Sequence, residues 1–108
     1  MSVTLETVKG LVVAGNVRIS EHGYDELAED HIAAREIISG LAEAVVVEDY
    51  PEFPKGPAVL VLQYDHTNRP IHVVWGIPRG HSSPAVLVTA YRPDPRRWSE
   101  DFLERRDE

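Results

Sequence analysis

Histidines and arginines carry the chemistry that this sequence could do. His22 stands two residues after Ser20, just inside a predicted helix start. A histidine there titrates near neutral pH and can move a proton, and a helix N-terminus attracts anions. The structural alternative is that His22 fixes the helix on a strand. His72 lies mid-strand between Ile71 and Val73. On an open grooved face it would point at a ligand, whereas under packed elements it would be a satisfied core histidine. Tyr91 and Arg92 close the last strand, and neighbours along a strand face opposite ways, so only one of them can share a given face. Arg92 could clamp a phosphate with two parallel hydrogen bonds. Arg69, Tyr91, Arg96 and Arg97 are the further substrate-binding candidates. In the alternative, Arg92 pairs with a helix acid while Tyr91 packs with its hydroxyl bonded.

Other chemistries lack their residues. There is no cysteine, so no disulfide framework and no thiolate metal site is possible. His66 and His72 have five residues between them, with Asp65 alongside, but this is not a zinc spacing and no metal site is expected. No phosphate-cradling glycine loop and no nucleophile-elbow serine occurs, so no cofactor is expected. Trp75 and Trp98 read most simply as core residues.

Charge divides the chain. The net charge of −7 argues against tight nonspecific nucleic-acid binding, which rests on phosphate contacts. Residues 1–54 hold three bases against eleven acids, whereas residues 55–97 hold six bases against only Asp65 and Asp94. The second half could therefore present a basic surface, unless its arginines pair with the acidic helices.

The elements that must position these residues follow from spacing. Leu5, Val8, Leu11 and Val12 predict an amphipathic helix over 4–14, capped by Thr4 and stopped at Gly15-Asn16. Val17 to Ile19 reads as a short extended link. Ser20 caps a second helix to about Glu29, with Tyr24, Leu27 and Ala28 as its inner face. A third helix covers 33–43 through Ala34, Ile37, Ile38 and Leu41. Strands are predicted at 45–47, 59–65, 71–77 and 85–92, with Ile71, Val73, Trp75 and Ile77 on one face and His72, Val74 and Gly76 on the other. Trp98, Phe102 and Leu103 suggest a short C-terminal helix. Short loops imply antiparallel neighbours. The expected fold is α+β, with N-terminal helices packed on one face of a four-stranded antiparallel sheet, in the order α-α-α-β-β-β-β. At 108 residues the chain fits a single domain, 1–108. No apolar run approaches the roughly 20 residues needed to span a membrane, and no secretory signal is evident, so a cytoplasmic location is expected.

Four pieces in order carry a resemblance: Ile19-Ser20-Glu21-His22, Val47-Glu48-Asp49-Tyr50-Pro51, Arg69-Pro70-Ile71-His72-Val73-Val74, and Val88-Thr89-Ala90-Tyr91-Arg92-Pro93-Asp94 followed by Trp98. Over about residues 17–98 the chain resembles the small bacterial family known as domain of unknown function 4258. That family has no agreed activity. Where it usually carries lysine before the histidine this chain has Glu21, the small residue after it is Gly23, and the usual basic residue of the following helix becomes Glu26 or Glu29. Those sign changes weigh against phosphate contact at that helix. The element order is also similar to RelE/ParE-type toxins. This fold analogy implies an RNA-directed ribonuclease in which His22 or His72 transfers a proton and Arg92 stabilises the phosphate. A non-catalytic module that holds a protein partner or a second copy of itself is the alternative, and the acidic balance with Glu21 favours it.

Overall fold

The computed structural model describes residues 2–106. The chain forms α1 (Val3–Val13), β1 (Val17–Ile19), α2 (Glu21–Glu29), α3 (Ala34–Gly40) with a 3-10 turn at Leu41–Glu43, β2 (Val45–Tyr50), β3 (Ala58–Tyr64), β4 (Pro70–Gly76) and β5 (Ala85–Tyr91). The fold is α+β, but the sheet has five strands in the order β1-β5-β4-β3-β2 rather than four. It is also mixed, because β1 pairs parallel with β5 while the other pairs are antiparallel. Three residues are too few for a periodic signal, so the extended link 17–19 gave no sign that it was a strand. Its parallel pairing is permitted because three helical segments and three strands supply the long return.

Local chemistry sets the helix ends. The cap of α1 is Ser2, not Thr4: its hydroxyl accepts from the Leu5 N–H at 3.0 Å, and Thr4 is buried. Gly15, at φ 79°, ends that helix as expected. The Ser20 hydroxyl accepts from the Gly23 N–H at 2.9 Å and donates to the Val88 carbonyl at 2.8 Å, so a single side chain caps α2 and ties it to β5. The buried residues of α2 are Gly23 and Leu27; Tyr24 and Ala28 face solvent. A side-chain carbon on Gly23 would sit 2.8 Å from the Leu87 carbonyl oxygen, so only glycine lets the helix approach this closely. The serine and small residue of the Ser20-Glu21-His22-Gly23 motif thus dock a helix.

Alternation in the strands separates two faces. Val59, Val61, Ile71, Val73, Trp75, Leu87 and Ala90 point under the helices and join Leu5, Val8, Leu27, Ile37 and Leu41 in one apolar core. Gln63 is the buried polar member: it donates to the Ile37 carbonyl at 2.8 Å and accepts from the Trp75 indole N–H at 3.4 Å. The opposite, outer face carries Leu60, Leu62, His72, Val74, Gly76 and Tyr91, as the pairings Leu60 with Val74 and Leu62 with His72 show. Extra residues at Val47 and Val88 interrupt the β2–β3 and β4–β5 ladders.

Among the described residues the predicted C-terminal helix does not form. After Pro93 the chain turns, and Trp98 pairs with Arg105 in an isolated antiparallel bridge. Phe102 adopts a left-handed φ of 63°, which no helix continues through. This segment lies across part of the outer face.

Candidate functional site

The three residues expected to catalyse do not assemble. His22 is exposed on α2, its Nε2 3.3 Å from Glu26. His72 is fully buried beneath the C-terminal segment. Its Nε2 lies 2.8 Å from the Phe102 carbonyl, which can only accept, so Nε2 carries the proton and Nδ1 accepts from the Tyr91 hydroxyl at 3.2 Å. Trp98 stands edge-on to the ring at 4.4 Å. Burial pushes the His72 pKa down, and both nitrogens are occupied in the neutral form. The same burial pushes the Tyr91 phenol up. Arg96 is exposed and pairs with Asp94 at 3.1 Å, and Arg97 is exposed.

Arg92 and Arg69 do come together, at another place. The β3–β4 turn is wound around the Asp65 carboxylate, which accepts from the Thr67 N–H at 2.9 Å, the Thr67 hydroxyl at 2.7 Å and the Arg69 N–H at 3.0 Å. The Arg92 guanidinium donates to Asp65 at 2.8 Å and to the Pro70 carbonyl at 3.2 Å, and its backbone N–H donates to Asp30 at 2.9 Å. Burial pushes the Asp65 carboxyl up. The hydrogen bonds from Thr67, Arg69 and Arg92 outweigh it and hold Asp65 far below the usual carboxylate range. Arg92 therefore clamps a turn, as the structural alternative anticipated, though its acid comes from a turn rather than a helix. Its Nε is buried without a hydrogen-bond partner among the described residues.

The same turn presents His66 to α3. Glu36 accepts the His66 backbone N–H at 3.0 Å and also bonds the ring Nδ1. The hydrogen bond from His66 lowers the Glu36 pKa, and the bond to Glu36 raises that of His66. A carboxylate on Nδ1 orients the imidazole and favours its charged form, while Nε2 has no hydrogen-bond partner among the described residues. These groups border a cleft of about 500 Å³. His31, held at φ 56° just past the end of α2, and Arg35, on the first turn of α3, line it beside Arg69 and Arg92. Neither Arg35 nor Arg69 has an ion-pair partner among the described residues.

Sequence reasoning missed most of this cleft. The spacing marks His66 only as a weak metal-ligand candidate, and nothing in it singles out His31, Arg35 or Glu36. Each comes from a different connection or helix start, and no spacing in the chain announces that the β3–β4 turn lands on α3. Among the described residues no cluster of three or more histidine, aspartate or glutamate side chains is placed to hold a metal ion.

The architecture defines a helix-backed mixed sheet with an ionisable cleft at one end of the β3–β4 hairpin. The chain matches the family described as Domain of unknown function (DUF4258) over residues 19–92, and it belongs to that family. Both the cleft and the helix-docking motif lie within the matched span. No curated protein and no solved structure matches the chain. Among the described residues no helix is long and apolar enough to cross a membrane.

Proposed function

We propose that this protein is an RNA-directed ribonuclease of the small RelE-like toxin type, with its general acid at His66 and its general base at His31 instead of His22 or His72. The observation that carries the reading is the His66–Glu36 pair beside a second histidine and two arginines without carboxylate partners. In this reading His31 takes the proton of a 2′-hydroxyl, whose oxygen attacks the adjacent phosphorus. The bond from phosphorus to the 5′-oxygen breaks, and the leaving oxygen takes its proton from Nε2 of His66, giving a 2′,3′-cyclic phosphate. A histidine kept charged by a carboxylate suits the donor's role. Arg35 and Arg69 neutralise the charge that develops on the phosphate, and Arg92 positions the turn that bears His66 and Arg69.

Induction in a bacterial culture tests this directly. The wild type and His22→Ala arrest growth and yield RNA ends bearing cyclic phosphate, while His66→Ala at equal expression does neither. Arrest that is indifferent to His66 and His31, or RNA left intact by the wild type, overturns the assignment. A second reading, a non-catalytic module for a protein partner or a second copy, is favoured by an apolar groove on the outer sheet face. Binding without any RNA cleavage would select it.

A further inference from the structure

The outer sheet face holds a second concavity that shares no residue with the cleft around His66. It measures about 440 Å³, and its floor is Ala58, Val74, Gly76, Val86 and Val88. Tyr50 and Phe53 rise beside it, 41% and 49% exposed, so two aromatic side chains that burial would favour stand in water. Its charged lining residues are Arg18 and Lys55, and no carboxylate lines it among the described residues. Neither cation has an ion-pair partner among the described residues, in a chain where acids outnumber bases by 18 to 11. Nucleic acid would bring phosphates onto an apolar floor, and a second copy docked symmetrically through this face would set Arg18 and Lys55 against their own counterparts.

We propose that this groove docks a segment of a partner protein that combines bulky apolar side chains with aspartate or glutamate. The apolar side chains bury against the floor between Tyr50 and Phe53, and the carboxylates meet Arg18 and Lys55. Burial supplies most of the affinity, and the two cations select the sign of the partner.

The probes are a short fluorescent peptide alternating leucine and glutamate and its leucine–lysine counterpart, read by fluorescence anisotropy, with backbone amide shifts of Ala58 and Val86 to locate binding. The acidic peptide saturates and shifts both amides; the basic one does neither. Gly76→Val fills the floor, and its first added carbon meets the Pro57 oxygen at 3.4 Å and Val88 at 3.5 Å, ordinary contacts. It weakens the acidic peptide by about tenfold or more. Arg18→Glu with Lys55→Glu transfers the preference to the lysine peptide. Equal binding of both peptides, affinity unchanged by these variants, or a concentration-dependent dimer of the chain that Gly76→Val abolishes would each overturn the proposal.

Discussion

The outer face of the sheet is two surfaces built from the same strands. At one end, around His72, the C-terminal segment covers it. Trp98 is 4% exposed, stands over His72, and has the Arg105 guanidinium 4.7 Å from its ring centre. Arg105 in turn binds Glu48 of β2 at 2.9 Å, and Glu48 is bonded by Tyr50. At the other end, around Gly76, no residue of the C-terminal segment lines the groove. Strand alternation brings apolar side chains to both ends. The covered end adds polar groups, His72 and Glu48, each of which finds a partner in the covering segment, and the open end offers an apolar floor, the exposed aromatics Tyr50 and Phe53, and two cations without ion-pair partners among the described residues. An apolar strip can be covered by many things, but a buried histidine needs a particular acceptor. That is why the chain's own tail settles at one end only.

The largest effect that separates the two ends is expected from Trp98→Ala. Removing this nearly buried indole strips His72 and Arg105 of their neighbour and lowers stability by about 3–5 kcal/mol in urea unfolding. A change near zero would mean that the tail merely rests on the sheet, and the contrast would collapse. Acid acts on the same end with a smaller effect. Burial holds the His72 pKa below its ordinary 6.5. The folded form therefore resists protonation, and this contribution is fully present above pH 6.5 and is lost as pH falls through the depressed value. Hydrogen exchange of residues 98–105 should quicken in that window before the core strands respond, and His72→Gln should flatten the response. Exchange that quickens equally in both proteins would assign the acid sensitivity to other groups. The smallest effect belongs to the open end. Gly76→Val should change unfolding stability far less than Trp98→Ala, since its first added carbon makes only ordinary contacts and the position lies outside the apolar core cluster. A loss comparable to that of Trp98→Ala would show that the groove is structural packing.

How legible the molecule was depends on the range of the interaction. The apolar stripe of β4, Ile71, Val73 and Trp75, was readable because a period of two reports one buried face, and these residues do enter the core. Ile77 also joins the core, although the strand ends at Gly76. The cap at Ser20 was readable because the N–H that its hydroxyl accepts from lies three residues away. The opposite assignment of Tyr91 and Arg92 also follows from alternation, and here Tyr91 bonds the buried His72 while Arg92 reaches Asp65. The site was not readable in the same way. His72 and His22 stood out by their local setting, yet what each one touches is decided by residues far along the chain. His66 looked like an ordinary turn residue until Glu36, thirty positions earlier, closed on it.

The sequence by itself determined the α+β class, the order of the longer elements, the apolar stripe of β4 and the family, because these rest on local periodicity and short motifs, whereas Tyr24, Ala28 and Ile38, expected to face inward, are exposed. Tertiary structure alone decided that Val17–Ile19 becomes a fifth, parallel strand, that the C-terminal segment turns back over His72 without a helix, and that the cleft forms around His66. Each of those outcomes depends on backbone and side-chain partners brought together from distant segments. Such partners obey the geometry of the closed fold, and spacing along the chain does not encode it.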